Sequence, residues 1–201
     1  MSPRGVAIPH VREQLFDAAE RLLREDAGPL SGRAVTREAG CAAGLLHNHF
    51  GDFDAFLVEF VIDRFRRYAS SVSSLPSLAG EGTVAGNLTD AALSLFGPGT
   101  RALSRLLISH PSVAGRAVEA RAAGGPARPM LEEAFATYLE REQQLGRVAG
   151  DADTEAIAVA LLATVHQLLL TPGRDGQDAR ALLRRVVGTL VRSVARTTSP
   201  T

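Results

Sequence analysis

The sequence predicts an all-α protein, and three observations carry that prediction. No segment sustains period-two alternation, apolar residues recur at helical spacing in one segment after another, and the breaks fall at Gly, Pro and Ser clusters. At 201 residues, with 45% hydrophobic and 22% charged residues, the chain can bury a sizeable core and lies well outside disordered composition. A single cysteine excludes an internal disulfide framework and a multi-cysteine zinc site, and fits a reducing cytosol. Charges at Arg4, Arg12, Glu13, Asp17 and Glu20 interrupt the first twenty residues, so no secretory signal is expected. The longest apolar stretch, 156–170, is broken by Thr164, His166 and Gln167 and falls short of the roughly 20 residues a bilayer requires. A cytoplasmic protein without a membrane partner is expected.

The first helix is predicted over His10–Glu25, with Val11, Leu15, Ala19, Leu22 and Leu23 on one face, and Gly28-Pro29 stops it. A very short helix follows from about Gly32 to Ala39, with Ser31 as N-cap and Gly40 where a left-handed residue ends it. Residues 42–50 resume helical spacing and end at Gly51. Three short helices, two of them joined by a tight glycine turn, make a helix-turn-helix arrangement. Asp52 caps a longer helix to about Ser70, in which Phe53, Phe56, Leu57, Phe60 and Val61 mark the apolar stripe. Six of the eight phenylalanines fall by Phe65, which predicts an aromatic joint between this helix and the first three. The Ser, Pro and Gly-rich stretch 73–82 reads as a linker. Helices then follow near 83–96, 100–109, 112–122, 127–146, 152–170 and 177–196, and irregular ends are expected at 1–9 and 197–201. The predicted organisation is therefore a domain over 1–51 and a second over 52–201, with helix 52–70 as connector.

In the third helix Leu46 and Phe50, four apart, form the largest apolar pair and so the buried face. At about 100° per residue the opposite face holds Gly44 and Asn48, flanked by Leu45 and His47, with Ala43 at its start. Those residues suit a major groove. Glycine permits close backbone approach, Asn can pair bidentately with adenine, and leucine packs on a thymine methyl. In the second helix Val35 and Ala39 point inward, which turns Arg33 and Arg37 outward, four apart, toward phosphate oxygens. The plainer reading is a solvated helix pair within an ordinary bundle. The wheel puts His49 nearer the buried side, in a hydrogen bond within the domain.

The run from Arg33 to Phe50, Arg-Ala-Val-Thr-Arg-Glu-Ala-Gly-Cys-Ala-Ala-Gly-Leu-Leu-His-Asn-His-Phe, resembles the DNA-binding signature of the TetR/AcrR transcriptional regulators. The likeness extends from Val11 through Leu57. It implies an N-terminal DNA-binding domain, a helical ligand-binding and dimerisation domain, a homodimer, a double-stranded DNA operator, and repression relieved by a small-molecule effector. It also makes His49 a phosphate contact. Four positions depart from the pattern: Cys41 stands for Val, Ala42 for the hydroxyl cap, His47 for Tyr, and Phe53 for the Lys opening the fourth helix. The lost cap costs the recognition helix about 1 kcal/mol, and His47 makes its backbone contact sensitive to pH.

In the second domain the helix 151–170 carries eight consecutive apolar residues, Ala156 to Ala163, and is hydrophobic all round. The last helix has a broad stripe of Leu182, Leu183, Val186, Val187, Leu190, Val191 and Val194, with arginines elsewhere, Arg196 among them. Two such helices from each of two subunits would make an intermolecular four-helix bundle, with Leu161, Val165, Leu183, Val187, Leu190 and Val191 as its expected contacts. The alternative is that both stripes are core within one chain. Phe96, His110, Phe135, Tyr138 and His166 combine apolar bulk with polar tips and are the candidate effector contacts. His166 and Gln167 could equally pair across a dimer.

His47 and His49 form a His-Asn-His string, but residues two apart on a helix differ by about 200° and cannot converge on one ion. No Ser-His-Asp order, phosphate-cradling glycine loop or His-Glu-x-x-His motif occurs, so neither a metal, a cofactor nor an enzyme is expected. Charge sums to zero, with 22 basic residues, all arginine, against 22 acidic ones. The distribution is uneven: residues 1–67 carry a net charge of −1, 68–173 of −3 and 174–201 of +4. Indiscriminate attraction to a polyanion is therefore not expected. Placed arginines must hold any specific contact, a role their forked guanidinium suits.

Overall fold

The structure, a computed structural model, describes residues 10–25, 28–122, 127–171 and 176–194. The predicted ends 1–9 and 197–201, and Arg196, lie outside them. All regular elements among the described residues are helices. They are α1 Val11–Arg24, α2 Gly32–Glu38, α3 Gly44–Phe50, α4 Phe53–Ser70, α5 Val84–Ser94, α6 Pro98–Ser109, α7 Pro111–Ala122, α8 Ala127–Gln144, α9 Thr154–Leu170 and α10 Gly176–Val194, with a 3-10 turn at Leu75–Leu78.

Two cores organise the chain. In the first, α1 contributes Val11, Leu15, Phe16, Ala18 and Ala19, and α4 contributes Phe56, Leu57, Val58, Phe60 and Val61. The aromatic joint is real. Phe16 lies 5.7 Å from both Phe50 and Phe56 and 5.9 Å from Phe60, and Phe50 meets Phe56 edge-on at 5.1 Å. This core does not stop at residue 51, because Leu103 and Leu106 of α6 and Val113 and Ala117 of α7 also enter it. The second core joins α5, α8, α9 and α10, with Phe135, Tyr138, Leu161 and Leu183 wholly buried. Tyr68, near the end of α4, packs against both cores.

The stretch read as a linker, 73–82, is instead pinned to the second core. Leu75 is buried, the Pro76 carbonyl accepts from Arg141 at 2.8 Å, and the Gly82 carbonyl accepts from Arg147 at 2.8 Å. The Gly80 amide donates to the buried Glu142 carboxylate at 3.2 Å, and Arg147 pairs with the same carboxylate at 3.0 Å. Serine hydroxyls bonded back to carbonyls three residues earlier, Ser73 to Ser70 and Ser77 to Ser74, hold the turn. The composition signalled a turn correctly. The apolar anchors Val72 and Leu75 make that turn part of the core.

Burial, followed by the neighbouring Glu142 acceptor, pushes the Tyr138 hydroxyl well above its ordinary pKa of 10.0, although Asn87 Nδ2 donates to it at 2.9 Å. Burial, then the Glu20 charge, raises Tyr68 as well. Because the folded pKa exceeds the unfolded one, the neutral form is favoured in the fold. The associated stability is complete below about pH 10 and is lost as pH rises beyond it. These are the chain's only tyrosines. An ultraviolet titration of tyrosinate in the native protein should therefore show no tyrosine ionising at the ordinary value of 10.0. A normal transition before unfolding would contradict the packing described.

Candidate nucleic-acid interface

The turn between α2 and α3 is built by local chemistry. Ser31 caps α2, its hydroxyl accepting from the Ala34 amide at 3.3 Å. Gly40 then takes φ +65°, while the Cys41 amide donates to the Thr36 carbonyl and the Gly40 amide to the Arg37 carbonyl, at 2.8 and 3.1 Å. That pair of bonds is a Schellman closure, which favours glycine at its left-handed position. Gly51, at φ +83°, ends α3, and the Asp52 carboxylate caps α4 by accepting from the Ala55 amide at 2.7 Å.

Side chains of α1 fix the other two helices. Gln14 donates to the Ala39 carbonyl at 3.0 Å, and Arg21 pairs with Glu38 at 2.8 Å. Arg12 holds α3 from three directions: it pairs with Glu59 of α4, donates to the His49 carbonyl at 3.2 Å, and lies 4.4 Å from the Phe50 ring centroid. The partners of Arg12 are 37 or more positions away, so local spacing holds no signal for them.

With Leu46 and Phe50 buried as expected, Ala43, Gly44, His47 and Asn48 are exposed along α3, and Arg33 and Arg37 along α2. Among the described residues neither arginine has an ion-pair partner. Leu45 is only half exposed, since it also packs against the first core. His49 is exposed, contrary to the helical-wheel expectation of a position nearer the buried side. Its carbonyl is the part that serves the domain, leaving the ring at the surface beside His10, Arg12 and Asp63. A continuous exposed face thus joins α2 and α3, with its rear bolted to α1 and α4.

No protein-family model and no curated protein matches the sequence. Solved structures do match the fold over nearly the whole chain. A TetR transcription regulator from Haloarcula marismortui superposes with a TM-score of 0.72 at 18% identity, covering 92% of this chain and 98% of its own. A TetR transcriptional regulator from Agrobacterium tumefaciens gives 0.65 at 22% identity, covering 92% and 94%. The fatty acid degradation regulator FadR from Bacillus halodurans gives 0.64 at 16% identity, covering 89% and 97%. The fold is that of the TetR-family transcriptional regulators.

Within this TetR fold the candidate effector contacts do not gather round one cavity. Phe135 and Tyr138 are wholly buried in the second core, where the Tyr138 hydroxyl is engaged by Asn87. His110 ends α6, its Nδ1 lying 3.2 Å from the Leu106 carbonyl and 3.0 Å from the Ser109 hydroxyl. His166 is exposed on α9. Phe96 lines a cleft, and its carbonyl accepts from Arg180 at 3.0 Å.

The expected dimer contacts need correction. Leu161, Val165, Leu183 and Val187 are buried within the single chain and have no surface left to offer. They pack α9 and α10 onto α5 and α8, while Leu190 and Val191 remain half-buried. The apolar surface still open on α9 is its other side, where Ala156, Val159, Ala160 and Ala163 are exposed and follow helical spacing. Among the described residues no helix is long and apolar enough to cross a membrane, and no group of three His, Cys, Asp or Glu side chains is placed to hold a metal.

At the start of α3, Ala43 already has helical angles (φ −56°, ψ −30°), and no side chain caps the helix. The Leu45 amide turns back to the Ala42 carbonyl at 3.0 Å. Ala42 is exposed, so a hydroxyl there has room to reach that amide. Ala42→Ser should raise unfolding free energy by about 1 kcal/mol, read as a higher urea midpoint at unchanged slope. A neutral or destabilising result would show that the cap site is closed.

Proposed function

We propose that the chain is a ligand-responsive transcriptional repressor that binds a pseudo-palindromic operator as a homodimer and is released by a small molecule. The observation that carries this reading is the exposed α2–α3 face, with Gly44 and Asn48 on one helix and Arg33 and Arg37 on the other. In a major groove, Asn48 would read an adenine edge, Gly44 would let the backbone approach, and the two arginines would hold phosphates. His47 and His49 are further backbone contacts, and Ala43 and Leu45 fill the groove wall. The regulators that share this fold support the reading.

A homodimer would bury the open side of α9, with His166 and Gln167 at its edge and the half-buried Leu190 and Val191 of α10 beside it. A glutamate at Ala160 should then turn a light-scattering dimer into a monomer. Retention of the dimer would place the interface elsewhere. Two symmetric heads require half-sites about one helical turn apart or somewhat more.

One observation favours a second reading, a helical dimer of the same fold that docks a protein instead: α3 lacks a side-chain cap. Fluorescence anisotropy against the DNA upstream of its own gene separates the two. Saturable, salt-dependent binding is expected for the regulator, and none at low salt for the docking module. Asn48→Ala should relax preference at one position per half-site, by about 1–3 kcal/mol. Arg37→Ala should weaken all sequences alike and lower the salt slope by about 1. Equal loss of discrimination in both variants would overturn these roles.

A further inference from the structure

Four arginines from three helices converge on one cleft that the α2–α3 face does not use. Arg24 at the end of α1, Arg101 and Arg105 of α6, and Arg180 of α10 line an opening of 290 Å³ together with Phe96, Gly97 and Pro98. The charge of Arg24, Arg101 and Arg180 is only partly met. Arg24 pairs with Glu20 at 2.5 Å, but that carboxylate is shared with the buried Arg64 at 2.8 Å. Arg180 donates to the neutral Phe96 carbonyl, and Arg101 has no ion-pair partner among the described residues.

The backbone adds to the same field. α6 starts in this cleft, with Gly97 as a cap that lacks a side chain and Pro98 as its first residue. The Gly99 and Thr100 amides, in that first turn, have no intrahelical acceptor, and the positive end of the helix dipole lies with them. The Thr100 hydroxyl of the same turn is nine-tenths buried and engaged with Tyr68, so the backbone amides are what this turn offers the cleft. The amides of this turn, the guanidinium groups of Arg101 and Arg180, which meet no carboxylate among the described residues, and a cavity of this size share one chemical requirement. They call for an oxygen-rich anion with more than one charge.

We propose that this cleft binds a small multivalent oxyanion, a phosphorylated or polycarboxylate compound. Arg24 and Arg180 would clamp it from α1 and α10, and Arg101 and the first turn of α6 would hold it from below. The site also lies where the two cores meet. A Cβ on Gly99 would come within 2.8 Å of both the Glu20 carboxylate and the Tyr68 hydroxyl, so α6 touches α1 and α4 with no room to spare. An anion drawing on Arg24 competes with Glu20 for that arginine and so acts on the joint between head and body. That it would serve as the effector rests on the regulator reading above, whereas the binding itself does not.

Isothermal titration calorimetry on the full chain, without DNA and at ionic strength fixed with sodium chloride, tests the site. Pyrophosphate is titrated in one series and citrate in another. Saturable binding of at least one of them is expected, and the stronger identifies the phosphorylated or the carboxylate class. Arg101→Gln should weaken it about tenfold, and Arg101→Gln with Arg180→Gln should abolish it, with the helical circular dichroism retained. Arg101→Gln breaks no described ion pair, so the single variant decides if the double variant does not fold. Absence of saturable heat with both anions, or an affinity that neither substitution changes, would overturn the proposal.

Discussion

Arg64 is 2% exposed, and its guanidinium reaches Asp17 at 2.9 Å and Glu20 at 2.8 Å while lying 5.4 Å from the Phe60 ring centroid. A charge this deep is costly unless it is paired, and removing one partner of a buried pair typically costs 3–5 kcal/mol, well above the worth of an exposed bridge. Glu20 carries more of that constraint than Asp17, because it is itself 15% exposed against 50% for Asp17. The consequence is geometric: α1 cannot turn away from α4 without stranding a buried cation. Head and connector therefore move together, and the exposed face of α3 inherits its orientation from α4 through the Phe16, Phe50 and Phe56 contacts.

The same carboxylate reaches toward the body. Glu20 meets Arg24 within α1 and stands against Gly99 at the start of α6, so one acidic side chain touches the buried pair, the cleft arginine and the helix that enters from the second domain. A side chain in place of Gly99 would have to be answered by Glu20 or Tyr68, since a Cβ there has no room. Packing of this kind couples the two cores through a few atoms. It also explains why the first core recruits Leu103 and Leu106 of α6 instead of closing at the end of α3.

Sequence order made the helices legible because their signals are local. Ser31, Gly40 and Asp52 are caps and turns whose chemistry acts over three or four residues, and each does in the structure what its type requires. The buried and exposed sides of α3 followed from Leu46 and Phe50 for the same reason. What the sequence did not reveal depends on distant partners. The arginine cleft assembles Arg24, Arg101 and Arg180 across 156 positions, and the pinning of 73–82 depends on Arg141, Glu142 and Arg147. For α9 the apolar pattern said only that every side needs cover. Only the packing of α5, α8 and α10 decides that Leu161 faces inward and Val159 outward.

The arginines acquire a division of labour from these contacts. Arg64, Arg12 and Arg21 are spent on internal pairs that stiffen the head, which leaves Arg33 and Arg37 as its exposed cations beside α3. With a net charge of −1 over residues 1–67, the head has little long-range pull on a polyanion. In the proposed operator contact, short-range interactions would have to supply what the field does not, and these depend on rigidity. On the proposed operator reading, a guanidinium locked behind α3 makes the placement of Asn48 reproducible, which would serve sequence discrimination better than an added surface charge that attracts every phosphate alike.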